Sequence, residues 1–146
     1  MHKVKATAAD LLAAANDLSP GDLAEFQALH GRQRCPVAVL TEALDDTTHA
    51  IKCGALVLAV GGHGNGIIWF VTTNVIGMVS RAQRFRFYRI LKDHYGSLKG
   101  VKNFQYSNCV STANHAHIRL LESLGATFAK ENSMSPAGFQ FKQFWL

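Results

Sequence analysis

Hydrophobic and polar positions divide the 146-residue chain into a helical first third and a mixed remainder. Up to about residue 50, apolar residues recur at three- and four-residue spacing, the period of helices packed on one side. Leu11, Leu12, Ala15 and Leu18 mark one such face, and Thr7 followed by Asp10 comes close to a capping box at its start. Ser19-Pro20-Gly21-Asp22 is a stronger start signal. Serine caps, proline suits the first turn, and aspartate favours the positive end of the helix dipole. Leu23, Phe26 and Leu29 give this second helix its apolar side, and Gly31 ends it. Pro36 opens a third helix, with Val37, Leu40 and Leu44 along one side.

From residue 55 the pattern changes. Residues 55–60 read as a buried strand, 61–66 as a glycine-rich turn, and 67–73 as a second strand rich in β-branched and aromatic residues. Together they predict a β-hairpin. An arginine-rich segment follows, then a helix in which Phe87, Leu91 and Tyr95 recur every fourth position and Gly96 acts as a stop. Residues 101–110 read as a strand, and Ser111 to Asn114 offer caps to a helix with Ile118, Leu121 and Leu124 on its apolar face. Gly125 closes that helix, a strand begins at Ala126, and the chain ends on a further strand from Phe139. Helices, a hairpin, a helix, a strand, a helix and two strands predict one α/β domain over residues 1–146, with a mixed sheet.

Composition narrows this little. Hydrophobic residues make up 48% and charged residues 17%, which suits a packed core. The apolar stretches are strand-length, and no long one follows the first residues. A cytoplasmic protein with no membrane span and no signal peptide is therefore expected. Cys35, Cys53 and Cys109 are odd in number and widely spaced, against a disulfide framework or a CxxC zinc site. The net charge of +5 attracts phosphates of any kind.

The most specific segment runs from Val110 through Asn114 to Leu124-Gly125-Ala126. It resembles the corresponding segment of GNAT (Gcn5-related N-acetyltransferase) proteins, and the strand at 67–73 with its basic follow-on is similar to the family's coenzyme A segment. Gly66 to Asn74, the arginine-rich helix and Gly138 to Phe144 also resemble short GNAT-like proteins of podoviruses, some of them described as internal virion proteins. The resemblance implies a mostly antiparallel GNAT-like sheet flanked by helices. It also implies acetyl-CoA or another acyl-CoA as co-substrate and an amine acceptor, on a small molecule or a host protein. Host cytoplasm or the virion is the implied location, as monomer or homodimer. Nucleic acid is not the expected partner.

By the same resemblance, Val71, Thr72 and Thr73 lie against the pantetheine arm. Arg81 and Arg84 meet the pyrophosphate, and Asn114 touches the phosphate or pantetheine side. Each has a plainer alternative: a solvated arginine face, a helix cap at Asn114. Ser111 is a candidate donor to the departing thiolate and His115 a candidate proton acceptor. His115 and His117 fall on different helix faces, which disfavours a metal pair. His30 could border the acceptor site, His63 reads as exposed loop, and Phe139, Phe141, Phe144 and Trp145 read as core or dimer surface. Two departures from the family stand out. Its glycine-rich phosphate loop is missing, and Leu121 occupies the position where many members carry a tyrosine that protonates the thiolate. They motivate an alternative to the acyltransferase: a catalytically degenerate GNAT domain acting as a virion or host-interaction protein.

Overall fold

The computed structural model describes residues 1–99 and 105–146. The elements in order are β1 (His2–Lys5), α1 (Ala8–Asn16), α2 (Pro20–His30), α3 (Pro36–Glu42), β2 (His49–Cys53), β3 (Leu56–Gly64), β4 (Ile67–Thr72), α4 (Val75–Met78), α5 (Arg81–Lys99), β5 (Ser107–Ser111), α6 (His115–Leu124), β6 (Thr127–Met134) and β7 (Gln140–Trp145). All strands join one seven-stranded sheet in the order β1-β2-β3-β4-β5-β7-β6. Every pairing is antiparallel except β4 with β5. The expected α/β class with a mostly antiparallel sheet is what the chain adopts.

The core forms on both faces of this sheet. Leu58, Ile68 and Phe70 pack with Phe87, Leu91 and Tyr95 of α5, Leu121 and Leu124 of α6, and Phe144. Leu11, Ala15, Leu18 and Leu40 pack with Trp69 and Val71 on the α1–α3 side. The Thr7–Asp10 capping box is made, and Asp10 also holds Lys52 of β2 at 2.7 Å.

Five expectations change. The first 50 residues are not all helical: β1 and β2 are short strands, β2 pairing with the apolar β3 and β1 with the outer edge of β2. The turn of the hairpin is not 61–66. Strand β3 runs on to Gly64, leaving Asn65-Gly66 as a two-residue turn with φ of 50° and 79°, the geometry that Asn-Gly favours. Gly61 belongs inside the strand because a Cβ there would come within 2.6 Å of the Trp69 carbonyl oxygen. Helix α5 continues past Gly96 to Lys99. The strand expected at 101–110 is observed from Ser107, and residues 101–104 lie outside the described residues.

The fifth change positions the site. Leu23 and Leu29 of α2 face solvent, while Asp22 and Ala28 are buried. The helix turns its carboxylates, Asp22 and Glu25, towards the sheet. A buried carboxylate requires hydrogen-bond donors, and the sheet supplies them where it splits.

Candidate functional site

The sheet splits between β4 and β5. Their pairing is limited to Ile67 with Ser107, supported by Ser107 N–H donating to the Gly66 carbonyl at 2.8 Å and by the Asn108 side-chain amide donating to the Ile68 carbonyl at 2.7 Å. Beyond this point the two backbones diverge, and amides that a partner strand would bind are released.

Helix α2 takes up those amides. Asp22 Oδ2 accepts from the Thr72 N–H at 2.7 Å, from the Thr72 hydroxyl at 2.5 Å and from the Ser19 hydroxyl at 3.0 Å. Glu25 Oε2 accepts from the Ser111 N–H at 3.0 Å. Asn114 joins the two sides. Its Nδ2 donates to Asp22 Oδ1 at 3.2 Å and to Glu25 Oε2 at 3.0 Å, while its Oδ1 caps α6 by accepting from His117 N–H. Gly21 lies close against this amide: a Cβ at position 21 would come within 2.7 Å of Asn114 Oδ1.

His117 completes the cluster. Its Nδ1 lies 3.5 Å from Asp22 Oδ1 and 3.9 Å from Glu25 Oε1. Neither contact is a made hydrogen bond: among the described residues both ring nitrogens are buried without a hydrogen-bond partner. The ring stacks at 4.5 Å on Phe70. Burial opposes ionisation of Asp22, but His117 and the Thr72 donors outweigh it, and the Asp22 pKa falls below its ordinary value. Burial pushes the Glu25 carboxyl up, and His117, the Ser111 amide and Asn114 offset this only in part.

Two cavities flank the cluster. One of about 230 Å³ is walled by Phe26, Leu40, Trp69 and Phe144. The other, of about 280 Å³, is walled by Thr72, Phe87, Asn114 and Leu120. Asp22, Phe70 and His117 line both, so they form the partition between them.

The expected site residues divide sharply. Thr72, Ser111 and Asn114 come together in the cluster, and Val71 lines the first cavity. Thr73 lies past the end of β4 and is turned to β3, its hydroxyl donating to the Val57 carbonyl at 2.7 Å. The segment expected as a phosphate loop is helix α4 and the start of α5. Ser80 and Gln83 cap α5 reciprocally, and Arg84 donates back to the Val79 and Gly77 carbonyls at 3.2 Å. Arg81 and His115 are exposed and have no partner in the cluster. His30 lines the first cavity, and His63 is half-buried on β3 instead of lying in a loop. Phe141 and Phe144 are core, whereas Phe139 is exposed. Asp22, Glu25 and His117 were not candidates from sequence. The available signal was the i, i+3 spacing of the two acids in a helix with few other charges.

A family model described as Bacteriophage T7, probable scaffold protein Gp13 matches residues 47–133, more than half of the chain. No curated protein sequence matches it. Among solved structures it is similar to an acetyltransferase of the GNAT family from Streptococcus pneumoniae. The TM-score is 0.54 at 12% identity, over 99% of this chain and 98% of that one. At that identity the likeness shows the fold, and the fold is that of GNAT proteins.

Proposed function

The chain belongs to the family described as Bacteriophage T7, probable scaffold protein Gp13, and from that membership we propose that it helps to assemble a phage particle, as a GNAT-fold unit whose acyl-coenzyme A passage is closed by its own carboxylates. Residues 1–146 act as one such unit, in the host cell or in the particle. Among the described residues, no helix is long and apolar enough to cross a membrane.

The observation that carries the reading is the capture of the Thr72 and Ser111 amides by Asp22 and Glu25. A pantetheine arm between the splayed strands needs those amides and that space. To enter, it must displace charge-assisted hydrogen bonds worth about 1.5–3 kcal/mol each. It must also leave two carboxylates buried beside it, and an uncompensated buried charge costs about 3–5 kcal/mol. Contacts at α5 support the same conclusion. The Ser80–Gln83 capping pair and the retracted Arg84 occupy groups that a pyrophosphate would use.

Acyl transfer from acyl-CoA to an amine is the second reading. It is favoured by the cavity of about 230 Å³ beside Glu25 and His117, which has room for a small acceptor. In that case Val71, Thr72 and Asn114 meet the pantetheine, Arg81 and Arg84 the phosphates, and Ser111 or His115 handles the proton.

Thermal unfolding with millimolar acetyl-CoA separates the two readings. A ligand present at 100 times its Kd stabilises by about 2.7 kcal/mol, a shift of several degrees. The assembly reading expects no shift, together with recovery of the chain in purified particles or their precursors. A dose-dependent rise in Tm with acetyl-CoA would overturn it.

A further inference from the structure

We propose that the solvent face of α4 and α5 is a docking surface for an acidic protein partner. This goes beyond the assembly reading and uses none of the residues of the Asp22–Glu25–Asn114–His117 cluster. Helix α5 buries Phe87, Leu91 and Tyr95. Its opposite side carries Arg81, Phe85 and Arg89, each four residues from the next and so aligned along one stripe about 12 Å long. Phe85 is 63% exposed and Met78, at the end of α4, is 81% exposed. Arg84 grips the Gly77 and Val79 carbonyls, which holds Met78 at the end of α5 that carries Phe85.

The charge here is not neutralised. Arg81, Arg86 and Arg89 form no ion pair among the described residues, and Asp93, one turn beyond Arg89, does not pair with it. Phe85, Arg86, Arg89, Ile90 and Asp93 border an open depression of about 380 Å³. Among the described residues, Met78 and Phe85 are the two most exposed large apolar side chains, and they stand together among guanidinium groups.

Two features select the partner. Arginine, methionine and aromatic residues together are the composition enriched at the centres of protein interfaces, where lysine is depleted. Free guanidinium groups around an apolar anchor require carboxylates around an apolar recess. Of the chain's own 10 acidic residues, Asp10 is engaged by Lys52, and Asp22 and Glu25 are turned into the cleft; a second copy would have to dock through one of the others, and self-association of the parent that R81E/R89E abolishes would overturn the proposal. A nucleic acid backbone would also satisfy the arginines and Phe85 offers a base a ring to stack on, so duplex DNA enters the test as the competing ligand.

The test is selection of a random peptide library on the immobilised full-length protein, with duplex DNA and phosphatidylserine vesicles measured in parallel. The expected binders carry several Asp or Glu around an apolar residue and weaken as salt rises. Their affinity falls about 30-fold for F85A, the scale of an interface hot spot, and is lost for R81E/R89E. Both variants are at exposed positions, and unchanged circular dichroism and Tm verify their fold. A selection without binders, peptides with no acidic bias, or peptides that hold R81E/R89E as tightly as the parent overturns the proposal. So does tighter binding of the DNA or the vesicles than of the best peptide.

Discussion

Two polar clusters in this fold follow opposite rules. In the split between β4 and β5, carboxylates meet amide donors with an imidazole beside them, fully offsetting burial at Asp22 and partly at Glu25. Where β1, β2 and β3 approach α5, Lys3, His49, His63 and His94 gather, all of them cationic when protonated. Lys3 Nζ lies 2.9 Å from His94 Nδ1, and the His94 ring centroid lies 5.4 Å from that of His49 and 6.1 Å from that of His63, both tilted. The first cluster is held by attraction. The second persists only while its imidazoles stay neutral. Burial, Lys3, His49 and His63 together hold His94 down to about 4. Burial likewise lowers His49 and His63, against a raising influence from the Thr47 carbonyl on the former and Asp45 on the latter, while Lys5 adds to the lowering of both. One cluster should therefore fail when a partner is removed, and the other when protons are added.

The largest effect expected is at Asn114. Replacing it with leucine removes the α6 cap, worth about 1 kcal/mol, and two donors to carboxylates at about 1.5–3 kcal/mol each. Asn114 is 6% exposed, so water cannot replace those donors without opening the structure. Asn114→Leu should cost at least about 3 kcal/mol in urea unfolding at pH 7. A loss below about 1 kcal/mol would mean that the carboxylates do not depend on this bridge.

The second cluster should respond to pH. His49, His63 and His94 have folded pKa values below the ordinary histidine value, so the unfolded chain binds more protons. Stability should fall as pH drops below about 6.5 and continue to fall towards about 4, where His94 itself is protonated in the fold. The cluster is partly open to water, which screens the effect to about 1–2 kcal/mol between pH 7 and pH 5. His94→Gln should remove much of this slope while leaving the Asn114 effect intact. Equal slopes in parent and variant would show that the histidines titrate freely.

The two clusters also differ in how far the sequence discloses them. Ser19, Pro20, Asn114 and Gly125 carry local signals, and each takes its expected place at a helix end. Asn114 also reads as a cap, which it is. Nothing local announces that Asp22 binds Thr72, fifty positions away, or that Glu25 binds Ser111. The apolar Leu23, Phe26 and Leu29 suggest the opposite orientation for α2, because periodicity assumes that hydrophobic positions decide burial. Here unpaired strand amides decide it. The histidine cluster is obscured for a different reason. His2–Lys5 and His49–Cys53 are too short to show a period, and they are strands in the fold because β2 pairs with the apolar β3 and β1 with β2.

The smallest effect expected separates the two acids within the first cluster. Asp22 is held below its ordinary pKa, so its charge stabilises the fold above that value, and the benefit is lost as pH falls through the folded pKa. Asp22→Asn would turn an amide N–H₂ towards donors or break the contact with Thr72, at about 2–3 kcal/mol. Glu25 has the reverse sign. Its pKa is raised, so the folded state favours the protonated carboxyl, and that contribution is lost as pH rises through the folded pKa. At pH 7 the ionised Glu25 is a burden on folding that a neutral amide would not impose. Glutamine can still accept from the Ser111 N–H and Asn114 through one oxygen, and it directs its N–H₂ to the side of His117, whose ring nitrogens lack a partner. Glu25→Gln should therefore leave stability unchanged or raise it by up to about 1 kcal/mol at pH 7. The gain should shrink towards pH 5, as the parent carboxyl takes up its own proton. Paired urea curves of D22N and E25Q at the two pH values check this. If E25Q proved the more costly of the two, Glu25 and not Asp22 would be the charge that holds the split closed.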